Sequence, residues 1–176
     1  MFTGTSIRLT AMRKEDLEHY RTWNSDPAFG RNYNSFPIRE LSEKKTEEWF
    51  NEHSDNNFRF AIRSLKSEEF IGVCAIEDIV WPHRVGWLSI ALGPDFHGRG
   101  YGREAMELLI HYGFNELNLH RLQLTVFSYN DPAIKLYEKL GFKHEGTFRD
   151  FLQRDGQRYD MHLYGLLAHE WEVGRK

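Results

Sequence analysis

The chain has 176 residues, of which 40% are hydrophobic and 28% charged, and its formal net charge is −3. This size and composition suit a globular protein with one full core, so we expect a single domain over residues 1–176. The acidic balance argues against a nucleic-acid surface. The single cysteine excludes an internal disulfide framework and fits a reducing, cytoplasmic compartment. The sequence contains no evident signal peptide or membrane-spanning run.

The first third of the chain predicts a strand, a helix, an irregular segment and a second helix, in that order. The strand covers residues 7–10, and the first helix covers 13–23, where apolar side chains recur at helical spacing. Residues 24–37 hold an Asp-Pro pair, a glycine and three asparagines, so we predict no regular structure there. Ser42 is suited to cap a second helix that ends near Glu52.

The remainder of the chain is richer in strands. Apolar or alternating runs predict strands at residues 58–64, 69–80, 86–92 and 121–127. Beyond Phe142 two further strands flank Asp155-Gly156, a dipeptide typical of a hairpin turn, and residues 166–173 are expected to be helical. This order implies an α/β (α+β) fold with a mixed, mostly antiparallel central sheet and helices on both faces.

A glycine-rich loop, from His97 to Gly102, lies between a predicted strand and a helix that runs to about Glu116. With no side chains on its three glycines, the backbone N–H groups can converge on an anion at the positive end of the helix dipole, and Arg99 and Arg103 add positive charge. The spacing fits neither a dinucleotide fingerprint nor a P-loop. It predicts a phosphate site; a tight turn that needs positive φ is the structural alternative.

A second segment, from Asn130 to Phe142, predicts a short helix with defined ends. Asn130 and Asp131 are capping residues followed by a proline, and Gly141 is suited to terminate the helix. Tyr137 falls on the apolar face of this helix, where an aromatic residue ordinarily belongs to the core.

Together the two segments resemble the GNAT superfamily of N-acetyltransferases. The loop of that family reads Gln/Arg-x-x-Gly-x-Gly/Ala, and this chain departs from it only in having His97 first. The later helix of the family matches this chain at Asn130, Ala133, Tyr137, Gly141 and Phe142. Within the superfamily, the chain looks most like the branch of ribosomal-protein N-terminal acetyltransferases and spermidine acetyltransferases. The resemblance covers about the whole chain and implies that strands 86–92 and 121–127 splay apart.

The resemblance implies that acetyl-CoA binds between these splayed strands. Its pantetheine arm would pair with the backbone of the first strand and accept a hydrogen bond from Asn130, and its pyrophosphate would lie on the loop amides. The expected cofactor-binding residues are Ile90, Ala91, Leu92, His97, Gly98, Arg99, Gly100, Tyr101, Gly102, Arg103, Asn130, Ala133 and Tyr137. No metal is expected, because neither His-Glu-x-x-His nor a Cys/His cluster occurs in the sequence.

The resemblance also implies the reaction, in which a primary amine attacks the thioester directly. An alkylamine has a pKa near ~10, so the site must accept its proton at neutral pH. Tyr137 would protonate the leaving thiolate. Glu77 is our candidate base and Asp78 its neighbour at the same strand end, although either could be a solvated carboxylate; His120 and Ser128 are weaker candidates.

The acceptor amine is expected to enter near residues 24–39 and 81–83, whose character is aromatic and irregular. The first of these segments holds Arg31, Tyr33 and Phe36 where a polyamine would need carboxylates. A peptide N-terminus is therefore favoured slightly over a small amine such as spermidine.

Two alternatives and the oligomeric state stay open. The chain could be a non-catalytic acetyl-CoA-binding module, although such a module has no need of Tyr137, and it could use another acyl donor such as succinyl-CoA. We expect neither a nucleic acid nor a membrane as partner. An exposed Trp81 would be compatible with a homo-oligomer.

Overall fold

The computed structural model describes residues 1–38, 40–52 and 54–173, with the backbone alone for 172 and 173. The strands are β1 (Ile7–Thr10), β2 (Phe58–Ser64), β3 (Phe70–Val80), β4 (Val85–Leu92), β5 (Arg121–Phe127), β6 (Lys143–Arg154) and β7 (Gln157–Leu167). The α-helices are α1 (Asp16–Ser25), α2 (Pro27–Tyr33), α3 (Glu43–Asn51), α4 (Tyr101–Asn115), α5 (Asp131–Lys139) and α6 (Ala168–Val173).

The strands form one mixed sheet in the order β1-β2-β3-β4-β5-β7-β6. Each neighbouring pair is antiparallel except β4 and β5, which are parallel. These two pair only from Val85 opposite Arg121 to Trp87 opposite Gln123. Beyond Trp87, β4 pairs with β3 and β5 pairs with β7, so the two central strands separate. The mostly antiparallel sheet and the splay of its central strands are therefore confirmed.

Helices cover both faces of this sheet, as predicted. Val73 packs in a buried cluster with Tyr20 of α1 and Phe29 of α2. The next residue of the same strand, Cys74, packs in a different cluster with Met106 of α4. Because successive side chains of a strand point to opposite faces, α1 and α2 lie on one face and α4 lies on the other.

The sequence predictions for the first two helical regions were wrong in their details. The first helix begins at Asp16, not Arg13, because the Asp16 carboxylate accepts the Arg13 backbone N–H at 2.7 Å and holds the preceding turn. Residues 24–37 are not irregular throughout, since they contain α2. Its Asp-Pro pair is a helix start: Asp26 accepts the Ala28 N–H at 2.8 Å, and proline occupies the first turn.

The ion pair between Arg63 of β2 and Asp16 of α1 is almost fully buried, with side-chain exposures of 3% and 4%. We expect Asp16→Ala to destabilise the fold by about 3–5 kcal/mol, because it leaves the Arg63 charge buried without its partner. Urea unfolding measures this change. Glu18→Ala is the matched control: it removes an exposed pair with Arg21 in the same helix and should change stability by less than about 1 kcal/mol. Equal losses in both variants would contradict the expectation.

Candidate active site

The splay leaves one edge of β4 unpaired from Leu88 to Leu92 within the described residues. Ile90 and Leu92 are half-buried there, and Ala91 is buried with its side chain toward α1 and α2. Backbone groups along such an edge can pair with an extended ligand as a neighbouring strand would. The structure therefore brings the three predicted strand residues to the mouth of the cleft.

The glycine loop follows β4 directly and opens α4. Gly98 and Gly100 have φ values of 72° and 83°, and a Cβ at either would have no atom within 4 Å. Gly100 is the N-cap of α4 and supplies no side-chain cap, so the first N–H groups of the helix remain available to a ligand. Gly102 differs, because a Cβ there would lie 3.3 Å from Leu92 Cδ1. Two glycines thus leave the surface of the loop open, and the third permits close packing.

The charged side chains around this loop have unequal surroundings. The His97 Nε2 atom is 3.1 Å from the Leu92 carbonyl oxygen, so this ring ties the loop to the end of β4. Arg103 donates to Glu107 at 3.0 Å, which offsets part of its charge. The Arg99 guanidinium lies 5.9 Å from the Phe96 ring and forms no ion pair with another described residue. Arg99 is therefore the freer of the two cations beside the loop.

Asn130 begins α5 on the other side of the cleft. Its Oδ1 accepts the Ala133 backbone N–H at 3.3 Å, and its own N–H donates to the Phe127 carbonyl at 2.9 Å. The side-chain amide nitrogen makes no hydrogen bond with any residue that the structure describes. Asn130 is thus a helix cap whose amide donors are still unused.

Tyr137 lies two turns further along α5, on the same side as Asn130. Its side chain is buried, with its ring edge-to-face against Phe142 at a centroid distance of 6.1 Å. Burial raises the pKa of the Tyr137 hydroxyl to about 12. Among the described residues this hydroxyl has no hydrogen-bond partner. The site therefore holds a neutral phenol with an uncommitted proton.

Glu77 of β3 is a partly buried carboxylate held by two donors. Arg59 Nε donates to its Oε1 at 2.7 Å, and Ser89 Oγ donates to its Oε2 at 3.3 Å. Arg59 is itself held by Glu52 at 2.8 Å. Asp78 instead is exposed with a φ of 50°, and its N–H bonds the Asn57 side chain. Of the two predicted carboxylates, only Glu77 is partly buried and held by side-chain donors.

The two weaker base candidates lie at opposite ends of β5. His120 precedes the strand, where β4 and β5 are still paired, and its N–H donates to the Arg84 carbonyl at 2.8 Å. Ser128 follows the strand at its splayed end, where its N–H donates to the Asp160 carbonyl at 3.0 Å. His120 thus lies at the paired end of β5, away from the splay, and in the part of the chain that the structure describes neither residue forms a hydrogen bond with Glu77.

Tyr33 is a site residue to which sequence reasoning assigned no role. The end of α2 places its ring against the buried cluster that holds Tyr20 and Phe29, with its hydroxyl near those of Tyr20 and Ser89. Burial is the main cause that raises the pKa of Tyr33 well above its ordinary value. We call Tyr20, Tyr33 and Ser89 the hydroxyl cluster. The one sequence signal for it was a serine within the apolar run of β4.

A pocket of about 210 Å³ adjoins the hydroxyl cluster between α1, α2 and α3. The lining comprises Tyr20, Asn24, Gly30, Asn34, Phe36, Pro37, Ile38, Leu41, Lys45, Thr46 and Trp49. Among these residues only Lys45 is charged. Arg31 ties α2 to the β6–β7 turn through a two-pronged pair with Asp155 at 2.6 and 2.8 Å. A larger pocket of about 650 Å³ lies along β2, two strands away from the cleft.

The described residues contain neither a metal-binding cluster nor a membrane-spanning helix. No group of three or more His, Cys, Asp or Glu side chains is arranged to hold a metal ion. None of the described helices combines the length and apolarity needed to cross a bilayer.

Comparison with known proteins places this geometry in a family. A sequence model described as "Acetyltransferase (GNAT) domain" matches residues 6–143. A Bacillus licheniformis protein named "Uncharacterized N-acetyltransferase p20" is 31% identical over 94% of both chains. The spermidine N(1)-acetyltransferase of Vibrio cholerae is 30% identical over 96% of both chains. The crystal structure of spermidine N-acetyltransferase from that organism, in complex with CoA and spermine, superposes with a TM-score of 0.87 at 25% identity and covers 94% of this chain and 98% of the other.

Proposed function

Since this chain belongs to the GNAT family and is an N-acetyltransferase, we propose that it moves the acetyl group of acetyl-CoA to the free N-terminus of a peptide, by direct attack in a ternary complex. One observation supports the proposal: the central strands part beside a glycine loop with available N–H groups, and the helix that follows the second of these strands carries the buried phenol of Tyr137. We also propose that the protein is a soluble cytoplasmic enzyme, which fits acetyl-CoA as its donor.

The glycine loop and the splayed strands provide groups for the pantetheine arm and the pyrophosphate of acetyl-CoA. The unpaired edge of β4 would receive the pantetheine arm beside Ile90, Ala91 and Leu92, and the free amide of Asn130 would donate to it from across the cleft. The N–H groups from Gly98 to Arg103 would hold the pyrophosphate at the positive end of α4. A similar fold crystallised with CoA supports this assignment.

The proposed reaction needs no covalent enzyme intermediate. The amine nitrogen bonds to the thioester carbon, and the carbon–sulfur bond then breaks. The departing thiolate takes a proton from Tyr137, which remains a neutral donor at neutral pH because burial has raised its pKa. Glu77 accepts the proton that the acceptor amine must lose before it attacks.

We assign the acceptor to the pocket of about 210 Å³ between α1, α2 and α3. The charge of this pocket supports a peptide N-terminus over a polyamine. A polyamine carries several positive charges at neutral pH and would need carboxylates, whereas Lys45 is the one charged side chain among the described residues that line this pocket. An α-amino group has a pKa of about 7.7–8.0, so roughly a tenth of it is already neutral at pH 7, against about a thousandth of an alkylamine with a pKa near 10. Spermidine remains the second candidate, since the relative from Vibrio cholerae is named for that activity.

An acceptor screen tests both candidates. Purified protein is mixed with acetyl-CoA, or with succinyl-CoA in a parallel series, and with spermidine, amino acids, aminoglycosides or short peptides with varied N-termini. Release of CoA thiol measures turnover, and the product mass identifies the acylated amine. We expect acetylation of an α-amino group of at least one peptide. Selective acetylation of spermidine with every peptide inert would overturn the preference, and binding without turnover would indicate a non-catalytic module.

A further inference from the structure

We propose that Lys45 selects acceptor peptides that carry an aspartate or a glutamate among their first three residues. This inference rests on the proposed function and deepens it, because it names the chemistry that the acceptor has beside its amine. It concerns the pocket of about 210 Å³ between α1, α2 and α3, which we call the acceptor pocket. An unpaired ammonium group in a lining with no other charged described residue points to an anionic ligand.

The position of the acceptor pocket relative to β4 is the first part of the argument. Tyr20 and Ala91 belong to one buried cluster, against which Leu41 and Trp49 pack. Of these four residues, all but Ala91 line the acceptor pocket. Ala91 lies on the edge of β4 that the splay leaves unpaired, beside the proposed path of the pantetheine arm. A peptide whose amine reaches the thioester there can place its next residues between α1, α2 and α3.

The arginines nearest to the acceptor pocket are already engaged with protein oxygens. Arg154 donates to the Asn34 carbonyl at 2.8 Å and to the Phe36 carbonyl at 3.4 Å, and so holds the wall that these two residues form. Arg31 pairs with Asp155 at 2.6 and 2.8 Å. Neither arginine lines the acceptor pocket. Their charges therefore hold the wall in place and do not face its interior.

Lys45 differs from the neighbouring lysines in having no partner. Lys44 lies 3.9 Å from Glu48, and Lys14 lies 3.3 Å from Glu47. The Lys45 ammonium group forms neither an ion pair nor a hydrogen bond with any described residue. It can donate three hydrogen bonds and accepts none. Lys45 is thus the cation in this turn of α3 that is left for a ligand.

A second donor in the acceptor pocket also suits a carboxylate. The Asn34 side-chain oxygen already accepts the Phe36 N–H at 2.9 Å, whereas its amide nitrogen has no hydrogen-bond partner among the described residues. No carboxylate is found among the described residues of the lining. A ligand carboxylate therefore meets donors from the end of α2 and the start of α3. A ligand ammonium group in the same place would meet only the like charge of Lys45.

The overall charge of the protein cannot produce this preference. The formal net charge is −3, so the long-range field of the protein disfavours an acidic peptide. A preference for such a peptide must come from a local contact. Among the described residues of the lining, Lys45 is the cation that can make it.

A matched series of peptides tests the inference. The peptides have an amidated C-terminus and carry aspartate, asparagine or lysine at position 1, 2 or 3, and they are assayed at saturating acetyl-CoA. We expect kcat/KM for aspartate to exceed that for asparagine by about 3- to 10-fold at one or more of these positions. The difference should lie in KM, because the contact is the same in the ground state and the transition state. It should shrink in salt of about 0.5 M, which screens exposed charges.

Variants of two adjacent lysines assign the effect to one side chain. Lys45→Met should remove the aspartate advantage, and Lys45→Glu should reverse it in favour of the lysine peptide. Lys44→Glu is the matched control, since it makes the same change of charge one residue away, at a side chain that is 86% exposed and outside the pocket lining. It should keep the aspartate advantage. Both lysines are exposed, so each variant should fold, and its Tm verifies this.

The outcomes separate this inference from the proposed function. Equal kcat/KM for aspartate and asparagine peptides would overturn the inference, and so would an aspartate advantage that persists in Lys45→Met. An advantage lost equally in Lys44→Glu would assign it to net charge and would also overturn the role of Lys45. In each of these cases acetyl transfer to a peptide still stands. Absence of acetyl transfer to any peptide by the natural protein would instead overturn the proposed function itself.

Discussion

Tyr137→Phe is expected to lower kcat by about 100- to 10,000-fold while acetyl-CoA affinity stays nearly unchanged. The variant keeps the ring against Phe142 and removes only the hydroxyl, which has no hydrogen-bond partner among the described residues. Steady-state kinetics and calorimetric titration with acetyl-CoA measure the two quantities. Because burial raises the pKa of Tyr137 to about 12, its acid form persists below that pH, and the natural enzyme should show no loss of rate from this group up to about pH 10.

Tyr164→Phe is the matched control for this prediction. Tyr164 is also buried, and its hydroxyl donates to Glu138 of the same helix at 3.1 Å. Its loss should leave kcat near normal. If Tyr137→Phe also turned over at a near-normal rate, with the chemical step shown to be rate-limiting, Tyr137 would have no place in the mechanism.

Gly100→Asp is expected to abolish the thermal stabilisation of the protein by acetyl-CoA. A ligand at about 100 times its Kd stabilises the native state by about 2.7 kcal/mol, which corresponds to a rise in Tm of about 5–10 °C for a chain of this size. The new carboxylate would stand against the pyrophosphate at the start of α4. Since a Cβ at Gly100 meets no atom within 4 Å, the fold itself has room for the substitution.

Gly100→Asn separates charge from backbone strain in this experiment. Asparagine has nearly the shape of aspartate and also tolerates the positive φ of 83° at this position. It should keep part of the stabilisation that aspartate removes. Equal loss in both variants would assign the effect to the backbone. An unchanged Tm of the natural protein at saturating acetyl-CoA would contradict the proposed donor site as a whole.

Features that depend on a few consecutive residues were predictable. Gly98 and Gly100 adopt the positive φ values that alternate glycines in a loop suggest. Asn130 caps α5, and Asp155-Gly156 turns the β6–β7 hairpin. Backbone conformation and capping are decided within one or two turns of chain, so the sequence pattern carries them.

The α2 region shows where local rules failed. An Asp-Pro pair, a glycine and asparagines are frequent in loops, yet here they form a helix of seven residues. Part of what holds α2 is distant: Arg31 pairs with Asp155, 124 residues away along the chain, and Phe29 is buried. Burial and long-range pairing override a weak local preference, because a short helix obtains most of its stability from packing.

The sequence by itself determined the family, the glycine loop and the presence of a tyrosine on α5, because each is a pattern of neighbouring residues, and the resemblance to the family then implied which strands splay. The roles of the individual site residues, the single domain over residues 1–176 and the oligomeric state stay predictions. Only the tertiary structure decided that Glu77, not Asp78, is partly buried and hydrogen-bonded to Arg59 and Ser89, and that the Tyr33 hydroxyl lies near Ser89. The physical reason is that hydrogen bonds and burial in this cluster join α1, α2, β2, β3 and β4, and no local pattern records which distant segments will meet.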